Sequence, residues 1–169
     1  MAHNPRAVLS PPPCNELQDD RLEPPLGLMS MATWLNRHGR ETEIVDLSST
    51  PMPQSLANIP RADLFGFSTY TPTYHRTVEI MRELRRAHPK ARMVAGGPHA
   101  SSLPAAVLGD FDHVVVGEGE MALLRIVRAL ERGEELPRTI REPVIEALDR
   151  LPFPDYGLVD VYSYHRIHF

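Results

Sequence analysis

Thiols are nearly missing from this chain of 169 residues, since Cys14 is its only cysteine. One thiol closes no internal disulfide, and alone it cannot supply the thiolates that hold an iron–sulfur cluster. Cys14 also follows Pro11-Pro12-Pro13 with no neighbouring base, which describes an ordinary free thiol, not an activated nucleophile. Clustered basic residues are absent too. With a net charge of -4, the chain lacks the electrostatic footprint of a nucleic-acid or anionic-membrane binder. No apolar run approaches the roughly 20 residues of a membrane span, and the amino terminus carries no basic-then-apolar secretory pattern. The expectation is a cytoplasmic protein with a small-molecule or protein partner.

Several catalytic signatures are also missing. There is no G-x-S-x-G elbow, no Walker loop, and no second histidine, cysteine or carboxylate at ligand spacing from His99. A phosphoacceptor receiver needs acidic residues after its first strand and an aspartate after its third. Here those exits read Pro11-Pro12-Pro13 and Thr69-Tyr70.

What the chain does have is alternation. Short apolar runs at 6–10, 43–47, 63–68, 92–95 and 113–116 read as strands, each too continuous to be half-solvated. Between them, Pro25-Leu26 opens a helix with Leu28, Met31, Ala32 and Leu35 on one face, closed by Gly39. A weak helical segment lies around Gln54–Asn58, and a long helix from about Thr73 carries Tyr74, Val78, Met81 and Leu84 before Pro89 ends it. Ser102–Leu108 predicts a short helix, with Ser101 or Ser102 as its cap, and Glu120–Arg132 predicts the last one. The fold expected is α/β: a doubly wound, Rossmann- or flavodoxin-like five-stranded parallel sheet between two helical layers, suited to strand order 2-1-3-4-5. Residues 1–133 form this domain, and the proline-punctuated 134–169 is an extended C-terminal linker. Its Leu151, Phe153, Tyr156, Tyr162 and Tyr164 carry enough apolar surface to dock on something, or to associate between copies.

Chemistry is expected at the strand exits. Gly96-Gly97-Pro98-His99 follows Met93-Val94-Ala95, and Gly117-Glu118-Gly119-Glu120 follows Val114-Val115-Val116. Paired glycines at a strand end expose bare backbone to a ligand. The third exit, Ser68-Thr69-Tyr70-Thr71-Pro72-Thr73-Tyr74, is dense in hydroxyls that suit a polar ligand tail, although helix capping accounts for part of it. Gly117-x-Gly119-x-x-Ala122 formally fits a dinucleotide turn, which makes a nucleotide-binding enzyme the alternative reading. Against it, Glu118 and Glu120 would face a pyrophosphate with like charge, and a favourable place at a helix N-terminus suits them better. His99 is the histidine best placed to meet a ligand, in a hydrogen-bonding or turn-stabilising role.

Together, Ser10-Pro11-Pro12, Pro25-Leu26-Gly27-Leu28, Gly66-Phe67-Ser68-Thr69-Tyr70-Thr71, Gly96-Gly97-Pro98-His99 and Val116-Gly117-Glu118-Gly119-Glu120 resemble the amino-terminal cobalamin-binding domain of cobalamin-dependent radical S-adenosylmethionine enzymes. Leu151-Pro152-Phe153-Pro154-Asp155 looks like that family's linker toward the radical domain. The resemblance implies cobalamin across the carboxyl edge of the sheet, its nucleotide tail among Ser68–Thr71 and Gly96–His99. The implied cofactor-binding set is Ser10, Pro11, Ser48, Ser68, Thr69, Tyr70, Thr71, Gly96, Gly97, Pro98, His99, Gly117, Glu118, Gly119 and Glu120. No histidine follows the first strand, so no cobalt ligand is expected from that loop. The C-x-x-x-C-x-x-C signature is absent, so this chain by itself is expected to be a non-catalytic accessory domain. S-adenosylmethionine and the 4Fe–4S cluster would belong to a parent methyltransferase or cyclase.

Overall fold

The computed structural model describes residues 4–11, 13, 21–47, 56 and 59–164. Its strands are β1 (Ala7–Ser10), β2 (Thr42–Ile44), β3 (Leu64–Ser68), β4 (Arg92–Gly96), β5 (His113–Val116) and β6 (Thr139–Arg141), and all pair in parallel in the order β2-β1-β3-β4-β5-β6. The doubly wound architecture is as expected, and so is the order of its first five strands. The count of five is corrected to six. Residues 139–141 lie in the stretch read as linker, because a three-residue strand with only Ile140 buried leaves almost no periodicity to detect.

Among the described residues, five α-helices of at least one turn cover the sheet: α1 (Leu26–Arg37), α2 (Tyr74–Ala87), α3 (Gly97–Ser102), α4 (Pro104–Val107) and α5 (Glu120–Arg132). The expected Ser102–Leu108 helix is replaced by α3 and α4. Helix α3 begins at Gly97 with Pro98 in its first turn, and neither Ser101 nor Ser102 caps it. The expected segment at Gln54–Asn58 lies outside the described residues, apart from Leu56.

Alternation along the strands divides the core between two faces. Val8, Phe65, Phe67, Met93, Ala95, Val114 and Val116 pack with Val78, Met81 and Leu84 of α2 and Val107 of α4. Ala7, Leu9, Leu64, Val94 and Val115 pack instead with Leu28, Ala32 and Leu35 of α1 and with Leu123, Ile126 and Val127 of α5. The sheet is thus buried on both sides, which is why its four inner strands carry polar residues only at their ends. Gly133, at φ +66°, stops α5 in the left-handed conformation.

The segment after α5 docks on its own domain. Leu136 and Leu158 pack on the α1/α5 face, the Asp155 N–H donates to Thr33 Oγ1 at 2.8 Å, and the buried Tyr164 hydroxyl donates a hydrogen bond to the Asp46 carboxylate. Among the described residues no helix is long and apolar enough to cross a membrane.

Phe111 is 1% exposed and meets Phe67 edge-on with ring centres 5.8 Å apart, whereas Phe153 is 93% exposed. Phe111→Ala should therefore cost about 3–5 kcal/mol in urea unfolding, and Phe153→Ala no more than about 0.5 kcal/mol. Equal losses would show that the core is not where the packing places it.

Candidate functional site

Strand order reverses between β1 and β3, because α1 leaves β1 for one face and α2 leaves β3 for the other. Open α/β sheets bind ligands at such a switch point. A crevice of about 180 Å3 lies there, walled by Leu9, Gly66, Phe67, Ser68, Val94, Gly96, Gly97, Val115 and Gly117 from the sheet edge, and by Gly27, Leu28, Met31, Gly119 and Leu123 from the α1/α5 side. Of the implied residues, Ser68, Gly96, Gly97, Gly117 and Gly119 meet in this crevice. Ser48 lies outside the described residues.

Six of the ten glycines line it, and they do different things. Gly97 (φ +90°) is required by its neighbours: a Cβ there would stand 2.9 Å from the Thr69 nitrogen and 3.0 Å from Ser68 Oγ. A Cβ on Gly66 would come within 2.7 Å of Leu9 Cδ2. At Gly119 it would meet the Met31 sulfur at 2.2 Å, so close packing of α1 on α5 explains the glycine without any pyrophosphate. Around Gly27 and Gly117 a Cβ would meet nothing within 4 Å, so these two open onto free space.

The hydroxyl-rich exit of β3 is mostly spent on its own backbone. Thr69 is 0% exposed. Its N–H and its hydroxyl both donate to Gly96 O, at 2.8 and 2.7 Å, while its hydroxyl accepts from Ala100 N–H at 3.2 Å and its carbonyl from His99 N–H at 3.1 Å. Thr71 Oγ1 lies 3.0 Å from His99 Nδ1, and Thr73 donates to Tyr70 O at 3.3 Å. Only Ser68 brings a side-chain hydroxyl to the crevice wall, and it has no hydrogen-bond partner among the described residues.

His99 is 8% exposed. Its ring sits 4.3 Å from that of Tyr74 and is not part of the crevice wall, so its observed role is to brace the turn. Ser10 is buried and donates to Pro11 O at 3.2 Å. Tyr70 is half exposed, and Pro11 and Pro98 likewise stand apart from the crevice. The glutamates also turn elsewhere: Glu118 accepts from Ile145 N–H at 2.8 Å and Glu120 from Ser30 Oγ at 2.9 Å. Gly117 N–H is taken by Ser101 Oγ at 3.1 Å. Sequence reasoning assigned no site role to the far wall: Leu28 and Met31 read as a helix stripe, and Gly27 entered only within the Pro25-Leu26-Gly27-Leu28 motif. The detectable signal was Gly27 itself, a poor helix former placed just inside a helix.

Beside the crevice, the Tyr74 hydroxyl is pushed up to about 12 by burial, then by its 3.0 Å hydrogen bond to the Asp110 carboxylate, with Arg82 opposing. Tyr164 is raised further by burial and by Asp46.

Comparison with known proteins then gives a consistent set of likenesses. The family model of the B12 binding domain matches residues 21–127. An uncharacterized methyltransferase of Pyrococcus horikoshii is 26% identical over 162 residues, covering 83% of this chain and 35% of its own length. An anaerobic magnesium-protoporphyrin IX monomethyl ester cyclase of Rubrivivax gelatinosus is 25% identical over 169 residues, covering 83% and 30%. The chain thus spans about a third of the length of these curated relatives. The radical S-adenosylmethionine methyltransferase TsrM from Kitasatospora setae, solved with cobalamin and a 4Fe–4S cluster bound, superposes with a TM-score of 0.70 at 23% identity, covering 79% of this chain and 26% of that one. That likeness is one of fold.

Two outcomes follow from the geometry. Thr69→Val keeps the side-chain shape but leaves the Ala100 N–H without its acceptor, so it should destabilise by about 1–3 kcal/mol, with Thr69→Ser recovering most of the loss; chemical denaturation reads both, and a Val variant as stable as the parent would contradict the role given to the hydroxyl. The folded state also holds Tyr74 protonated where the unfolded chain releases that proton from pH 10 upward. Its contribution is therefore complete below pH 10 and lost as the pH rises toward 12. Melting temperature should fall across that window, and less steeply for Tyr74→Phe.

Proposed function

We propose that this chain, which belongs to the B12 binding domain family, holds cobalamin across the carboxyl edge of its sheet with the nucleotide tail in the glycine-lined crevice. The observation that carries this reading is the crevice itself, placed at the switch point and walled by backbone and apolar side chains. The residues present fit such a group. Gly27 and Gly117 leave open space where a side chain would have intruded, and Ser68 offers a hydroxyl that has no partner among the described residues. When bound, cobalamin supplies a cobalt centre able to carry a methyl group. The chain's own contribution is to receive the tail, keep water away from it along Leu9, Leu28, Val94, Val115 and Leu123, and orient it by the Ser68 hydroxyl.

For the whole protein we infer a radical S-adenosylmethionine methyltransferase or cyclase, in which this chain is the cofactor-holding domain and a following domain binds S-adenosylmethionine and a 4Fe–4S cluster. The names of the longer relatives, a methyltransferase and a cyclase, support this, as does the fold shared with a radical S-adenosylmethionine methyltransferase; Val144, Leu148, Phe153 and Tyr162, all exposed on the segment after α5, offer apolar surface for such a domain to cover. The cytoplasm is the compartment we assign, since a reduced cluster belongs to a reducing interior.

Titration of the chain with hydroxocobalamin, followed by filtration and absorbance, tests the reading. Cobalamin should be retained, and Gly27→Leu should weaken retention by about tenfold or more while raising the melting temperature, because a good helix former replaces glycine, worth up to about 1 kcal/mol. Undiminished retention by Gly27→Leu would show that the tail lies elsewhere.

A further inference from the structure

The crevice wall is chemically lopsided. Its fourteen residues are glycines, aliphatic side chains, Met31 and Phe67, with one side-chain hydroxyl, that of Ser68. The hydroxyls that stand nearby in sequence are already taken, Thr69 by Gly96 and Ala100, and Thr71 by His99. Three backbone groups at the rim are taken as well: Gly96 O by Thr69, Gly117 N–H by Ser101, and Gly119 O by Leu123 N–H. A ligand tail entering here therefore finds one side-chain hydroxyl and a large apolar surface.

Cobamides differ in the base at the end of that tail. A benzimidazole nucleotide keeps one free ring nitrogen, which one hydroxyl satisfies, and its remaining edge is hydrocarbon. A purine nucleotide carries an exocyclic amine or oxo group and further ring nitrogens, all hydrated in water and unmatched against Leu28, Met31, Val115 and Leu123. Polar groups buried without partners are rejected strongly, while apolar groups in an apolar slot are not. We infer that this crevice selects among cobamides by the polarity of the lower base, favouring benzimidazoles over purines. The inference rests on the tail-in-crevice reading above and names the ligand class which that site prefers.

The test titrates the chain with cobalamin, with adeninylcobamide and with cobinamide, which has no base, using tryptophan fluorescence and retained absorbance. The same titrations on Met31→Gln and Val115→Thr, both near-isosteric and each adding a polar group to the wall, are compared as the ratio of the two cobamide affinities. Any difference in how readily each base leaves cobalt in solution is common to all three proteins and cancels in that comparison. Cobalamin should bind the parent chain about tenfold more tightly than the purine form, and the ratio should fall by about threefold or more in the variants. Cobinamide binding as tightly as cobalamin would overturn the placement of the tail, and the inference with it. Weak cobinamide binding with a ratio unmoved by both variants would overturn the selectivity alone and leave the cobalamin reading standing. Thermal melts of the two variants confirm that each is folded, and either one suffices for the comparison.

Discussion

A backbone that passes from strand to helix within a single residue has to satisfy its orphaned polar groups locally, and at the end of β4 the main chain and hydroxyl of Thr69 do this. Four hydrogen bonds tie that residue to Gly96, His99 and Ala100. They hold Gly97 in a conformation with no room for a Cβ, and they bring the ends of β3 and β4 level, Ser68 beside Gly96. With those two ends level, the crevice floor is bare and the Ser68 hydroxyl is left at its wall. The turn is braced from outside by the His99 ring against Tyr74. Binding geometry at this edge is thus set by residues that do not line the crevice.

The alternation of short apolar strands with amphipathic helices made the layered sheet legible in the sequence, and the bounds of β5 and α5 agree with the structure to the residue. Strand β6 was not legible. Thr139-Ile140-Arg141 sits between Pro137 and Pro143, buries one side chain and takes its place only because β5 offers a free edge. At the site, the paired glycines were readable because so few residues tolerate a strand exit of that kind. The hydroxyls were not, since sequence shows how many are present but not which of them the backbone has already claimed. His99, Glu118 and Glu120 illustrate the same limit: each is chemically suited to a ligand, and each is engaged by the protein itself.

The far wall depends on contacts distant in sequence. Met31 of α1 reaches the backbone of Gly119 at the start of α5, so the spacing of these two helices also fixes the width of the slot between them. Glu118, one residue earlier, fastens the segment after α5 through Ile145. Crevice width and the seating of that segment are therefore mechanically neighbouring quantities.

The two outermost strands are three residues each, with Glu43 in the middle of one and Arg141 at the end of the other. Margins so short and so charged present little unsatisfied backbone for a foreign strand to copy. A wholly parallel sheet with an apolar interior thereby offers little at either margin for lateral growth.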